Sequence, residues 1–203
     1  SLFFIFISVF VFASFNGCGD EDIINNNNPP VSVGGLYLYI LSEGSAAGTG
    51  KLSLYTSGND SMYESIFGGS LSYPDGLYYG DGGSILVVEQ GSTFGGNGKL
   101  YKLNGNGVLQ SESAPFGSSP YSLTTANNKI YVTNGPGGTV SVLDKNTLSV
   151  LTAVSAGVYP QEILSRDNKV YVCNTSAFGG ASDSTVSVID AVADTVIGTI
   201  ALR

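Results

Sequence analysis

The chemistry open to this chain is set first by a residue it lacks. Among its 203 residues there is no His, and Arg occurs only at Arg166 and Arg203. His-ligated zinc, Ser-His-Asp and Cys-His catalysis are therefore all excluded. Two acids, Asp144 and Asp190, recur at one position of a repeated pattern, with Asn104 at the same place in an earlier segment. Paired carboxylates can hold a metal or exchange protons, but each of these residues closes a short β-branched run, where an Asx turn accounts for it. Glu89, Asn134 and Asn174 form a second recurring set, again at the ends of apolar runs. They could meet near a ligand, and strand-end hydrogen bonding is the plainer account. Cys173 stands in the apolar run Tyr171-Val172-Cys173-Asn174 and reads as a small buried hydrophobe. No catalytic constellation emerges, and neither a metal nor a cofactor is expected.

Recognition is better represented. Ser92-Thr93-Phe94-Gly95-Gly96 and Ser176-Ala177-Phe178-Gly179-Gly180 are similar inserts, each presenting a Phe among Gly and small polar residues. Glycine gives adaptable backbone and Phe gives apolar contact, although each ring could instead tuck onto its own sheet as a plug. Tyr73, Asp75, Tyr121, Tyr159, Gln161 and Glu162 cluster around three prolines, and tyrosine with short polar groups suits a polar ligand with some apolar area. None of the Gly-rich loops leads into a helix, so phosphate binding does not follow.

These residues are positioned by a repeat. Tyr39-Ile40-Leu41-Ser42, Leu86-Val87-Val88-Glu89, Tyr131-Val132-Thr133-Asn134 and Tyr171-Val172-Cys173-Asn174 begin at spacings of 47, 45 and 40 residues. Each is followed by a second run, beginning at Lys51, Lys99, Thr139 and Thr185, and both sets read as strands. A further strand opens at Pro74, Pro120 and Pro160, and a last one closes each unit near Met62–Phe67, Val108–Ala114, Ser149–Ser155 and Thr195–Leu202. Strand units with a period of 40 to 50 residues are the signature of propeller blades, four antiparallel strands A to D from the axis outward. The expected fold is thus all-β, with about four blades over 36–67, 73–114, 120–156 and 160–202, arranged as an open propeller. The first blade is read with strands B, C and D only.

Spacing also selects a face. Subtracting the gap between the B and C anchors from the period leaves 31 residues in both the second and third units, so their length variation lies in the B–C loop. B–C and D–A loops emerge on one face of an up-and-down blade, and the opposite face carries tight turns such as Asn127-Asn128 and Asp167-Asn168. The B–C face, with Phe94, Phe178 and the Tyr-rich D–A segments, is the expected ligand-binding face.

The beginning of the chain reads as an address. Residues 1–15 form an uncharged apolar run, too short for a comfortable membrane span, and 1–17 read as a lipoprotein signal peptide ending at Asn16-Gly17. Cys18 follows, then Gly19-Asp20-Glu21-Asp22, and residues 18–35 continue as an acidic, Asn- and Pro-rich tether. A small residue before Cys resembles a bacterial lipobox, which implies a lipidated Cys18 as the mature N-terminus. Phe15 and Asn16 depart from the usual lipobox residues. With lipid on Cys18, Cys173 has no intramolecular disulfide partner.

The units at Ile130–Asn134 with Thr139–Asp144, and Val170–Asn174 with Thr185–Asp190, resemble the YVTN β-propeller repeat, whose literal string stands at Tyr131–Asn134. With the lipobox and the Gly-rich inserts, residues 36–203 are similar to envelope propeller lipoproteins of Gram-negative gut bacteria. That resemblance implies a surface-exposed outer-membrane lipoprotein that captures ligands beside an outer-membrane transporter, with a corrinoid-like small molecule as one ligand class. It also implies seven blades, so the expectation is a fragment of a larger propeller.

Composition agrees with an extracytoplasmic all-β chain. Hydrophobic residues make up 42%, charged residues 12%, and there are 28 Gly, 12 Tyr and 10 Phe. The net charge of −8 argues against nucleic acid, whose phosphates need clustered Lys and Arg. The favoured function is non-catalytic ligand binding from a lipid anchor in the membrane. The alternatives are a structural or protein-interaction lipoprotein and, weakened by the absent His, a lactonase- or quinoprotein-like enzyme.

Overall fold

The computed structural model describes residues 9–14, 35–176, 180 and 182–202. They form four antiparallel four-stranded sheets, each a simple meander. The second sheet contains β5 (Pro74–Tyr79), β6 (Ile85–Glu89), β7 (Lys99–Leu103) and β8 (Leu109–Glu112). The third contains β9 (Pro120–Ala126), β10 (Lys129–Asn134), β11 (Thr139–Asp144) and β12 (Val150–Ser155). The fourth contains β13 (Pro160–Arg166), β14 (Lys169–Asn174), β15 (Thr185–Asp190) and β16 (Thr195–Ala201). The helical residues among those described are a 3-10 turn at Asp81–Gly83.

The first sheet departs from expectation. It contains β2 (Gly35–Ser42), β3 (Gly50–Thr56) and β4 (Ser61–Leu71), and its fourth place is taken by β1 (Val9–Ser14). β1 runs antiparallel to β2, from Val9 opposite Ile40 to Ser14 opposite Gly35. The A strand read as missing is thus supplied by the apolar run before Cys18. The reason is physical: Val-Phe-Val-Phe has high strand propensity, and β2 otherwise offers an unpaired edge.

The second and third sheets are apolar on both faces because each packs between two neighbours. Tyr39, Leu41, Leu52 and Leu54 of the first sheet meet Leu77, Ile85, Val87 and Leu103 of the second. Leu86, Val88 and Leu100 meet Leu123, Ile130, Val132 and Leu143. Tyr131, Val140 and Val142 meet Ile163, Val170, Val172 and Ile189. Burying each such side chain stabilises the fold by about 1.5–3 kcal/mol, which makes the sheet-to-sheet contacts the main stabilising element.

Among the described residues, the outer face of the fourth sheet has no covering sheet. Leu164, Cys173 and Ile200 are exposed there. Cys173 is therefore not the buried hydrophobe its apolar context suggested. Strand alternation places it opposite Val186 on the uncovered face, whereas its repeat equivalent Thr133 is buried against the next sheet.

Candidate functional site

The local chemistry of the repeat ends is structural, as the sequence indicates. Asp144 Oδ1 accepts from the backbone N–H groups of Asn146 and Thr147, and Asp190 Oδ1 from those of Val192 and Ala193. Asn104 Oδ1 does the same for Asn106 and Val108. These backbone donors hold both Asp carboxyls below the usual carboxylate range. Asn134 Nδ2 donates to Thr139 and Ser141, and Asn174 Nδ2 donates to Thr185 and Ser187 in the same geometry. Glu89 replaces them in the second sheet, accepting from Ser72 N–H at 2.7 Å and from the Tyr101 hydroxyl at 2.8 Å. All three tie the end of strand B to its surroundings.

B–C and D–A loops do share a face, and they are laced together. Gly91 N–H donates to Ser72 O, Ser119 N–H to Gly96 O, Ala156 N–H to Gly138 O and Thr175 N–H to Val158 O. The residue before each strand-opening Pro, namely Tyr73, Ser119 or Tyr159, has φ between 41° and 52°. A non-Gly residue in this left-handed region is sparsely populated and persists because the surrounding contacts fix it.

Two cavities open on this side. One, of about 320 Å³, is lined by Asp75, Tyr121, Ser122 and Glu162 with the backbone of the A strands. Ser122 Oγ donates to Glu162 Oε2 at 3.2 Å, and Gln90 Nε2 to Asp75 Oδ2 at 3.1 Å. Burial pushes the Asp75 carboxyl up to about 7, with Glu43 and Glu162 adding repulsion and the Gln90 bond opposing it. The second cavity, about 500 Å³, has Phe94 on one side, Tyr159 and Val158 on another, and the backbone of Gly135–Gly138 between them. Phe94 is 75% exposed. Tyr159 and Tyr121 join the two cavities, with ring centroids 6.0 Å apart and hydroxyls 3.3 Å apart. Gly135 permits that pair, since a Cβ there would stand 3.0–3.1 Å from both rings.

Of the residues expected on this face, Asp75, Tyr121 and Glu162 line one cavity, and Phe94 and Tyr159 the other. Tyr73 and Gln161 line neither; their carbonyls accept from Gln90 N–H and Thr133 Oγ1. Phe178 and Cys18 lie outside the described residues. The sequence reading missed Glu43 and Gln90. They occupy one repeat position, directly after strand B, and that equivalence was the available signal.

No protein-family model matches the chain, and no curated protein matches it. Solved structures do. The chain is similar to a structure in the nidogen/laminin complex, with a TM-score of 0.65 and 12% identity, over 82% of this chain and 59% of that one. It is similar to the Dos1 propeller, with a TM-score of 0.63 and 15% identity, over 82% and 43%. It is similar to Kuenenia stuttgartiensis hydrazine synthase, with a TM-score of 0.65 and 13% identity, over 82% and 46%. The fold is a β-propeller. The chain spans about half the length of the propellers it matches. Within the propeller, A strands lie innermost, so Asp75, Tyr121 and Glu162 stand near the axis while Phe94 stands further out on its B–C loop.

Proposed function

We propose that this propeller is a non-catalytic binding protein whose working face is formed by the B–C and D–A loops, and that it is held at the outer membrane by lipid on Cys18. The observation that carries the binding reading is Phe94, a large apolar ring left in solvent beside a cavity with a glycine floor and a Tyr wall. An exposed aromatic poised over a preformed cavity contributes affinity at little entropic cost. The lipid anchor rests on the Gly17-Cys18 junction and the acidic tether that follows. Its setting beside a transporter, and a corrinoid as ligand, rest on the resemblance to envelope propeller lipoproteins.

The test is titration of the full chain with cyanocobalamin. Phe94→Ala and Tyr159→Ala each weaken binding at least about fivefold, as loss of a buried aromatic anchor does. Asn128→Ala and Lys169→Ala, in and beside the tight turns of the opposite face, leave it unchanged. The reverse pattern places the working face wrongly, and no binding removes the corrinoid.

A further inference from the structure

The face opposite the recognition loops carries a cleft with a different chemistry. It lies between the first and second blades, has a volume of about 360 Å³, and is lined by Tyr37, Tyr39, Tyr79, Ser84, Asn106 and Gln110 with glycine backbone between them. Tyr39 and Tyr79 stack with centroids 5.6 Å apart and planes 25° apart.

The other blade junctions explain why this one is open. Tyr39 and Tyr131 share a repeat position, and both hydroxyls donate to equivalent carbonyls, Gly105 O at 2.8 Å and Ala191 O at 3.1 Å. Above Tyr131 the crevice is filled by Asp194, which accepts from the Tyr131 hydroxyl and pairs with Lys129 at 2.6 Å. Between the second and third blades, Leu148 fills it from the same turn position. Both residues donate N–H to the Asp that opens the C–D turn, Leu148 to Asp144 O and Asp194 to Asp190 O. In the second blade this turn is one residue shorter, closing from Gly107 N–H to Asn104 O. Gly107 brings no side chain, and Tyr37 stands where the third blade has Lys129. The crevice that is sealed twice elsewhere is left open and rimmed with aromatic rings.

We propose that this cleft binds a neutral sugar ring, as a free disaccharide or a glycan terminus. Of the described side chains lining it, none is charged. An anion would find no cation there, and a cation no carboxylate. The electron-rich Tyr faces suit the C–H face of a sugar, and amides suit its hydroxyls as donor and acceptor. Asn106 and Gln110 have that capacity to give, because their side-chain amides have no hydrogen-bond partner among the described residues. Burial and the neighbouring tyrosines hold the Tyr39 hydroxyl up to about 12, so the cleft stays uncharged across the physiological range. This site is independent of the loop face.

The chain has no Trp, so its emission comes from its 12 Tyr, of which Tyr37, Tyr39 and Tyr79 line the cleft, and the cleft variants assign the change to this site. The full chain is titrated with maltose, cellobiose, lactose and xylobiose into the millimolar range. At least one saturates, and Tyr79→Ala and Asn106→Ala each weaken it about fivefold or more. Phe94→Ala, on the other face, leaves it unchanged. Asn106→Ala keeps its backbone bond to Asn104, so its fold is preserved; circular dichroism checks this for both variants. Saturation by none of the four overturns the proposal, as does binding indifferent to Asn106→Ala. An equal response to benzamide, which has the flat ring without the hydroxyls, overturns the sugar assignment.

Discussion

Asp75 is where a single residue most clearly records its surroundings. Its carboxyl is half-buried between strands near the axis, faces Glu43 and Glu162, and receives one hydrogen bond from Gln90. With a folded value of about 7 against an ordinary 3.8, the folded state holds a proton that the unfolded state has released. Stability from this group is therefore full below about pH 4 and is lost as pH rises through about 7. The midpoint of thermal unfolding should fall between pH 5 and pH 8, and Asp75→Asn should flatten that slope. A slope unchanged in the variant would assign it to other groups. Asn174 shows a second residue-level point. Its Oδ1 accepts from Gly157 N–H at 3.1 Å, whereas the equivalent Oδ1 of Asn134 is buried with no hydrogen-bond partner among the described residues. The repeat conserves the amide's donors and varies what its oxygen meets.

At the scale of elements, β1 and the proposed lipid anchor make competing demands on the start of the chain. Cleavage before Cys18 would remove Val9–Ser14 and leave the β2 edge unpaired. Intact-mass analysis of the membrane fraction should find a chain beginning at an acylated Cys18, and Cys18→Ser should retain the leader. A mature chain that keeps residues 9–14 would instead make β1 a permanent strand. The strands themselves were legible because β-branched alternation and Asn or Gly turns repeat four times. Asn127, Asn128, Asp167 and Asn168 all adopt the positive φ that their turns require. The Asx role of Asp144 and Asp190 was equally legible, since it depends only on neighbours in sequence. Three things were not. β1 reads as a leader because its apolar run carries no alternation to mark a face. The burial of Cys173 depends on what covers the fourth blade, which no local pattern encodes. Glu43 and Gln90 were hidden for another reason: their role arises only where loops of successive blades converge.

For the whole molecule, the outer face of the fourth blade is the governing feature. Leu164 is 58% exposed, and Ile200 also faces water, at positions equivalent to Thr124 and Val154, which are buried in the third blade. A contiguous apolar surface of this kind drives association. Sedimentation of the full chain should show mass rising with concentration, and Leu164→Glu should suppress the rise without changing the circular dichroism spectrum. A strictly monomeric wild type would show that this face is tolerated in water. The same surface carries a gauge of its own state. Cys173 is the described thiol, it is exposed, and it lies in the middle of that face opposite Val186. Its rate of alkylation by a maleimide therefore measures whether anything has docked there. Fast labelling means an uncovered face, and protection that appears with a partner or a second copy means that face has become an interior surface.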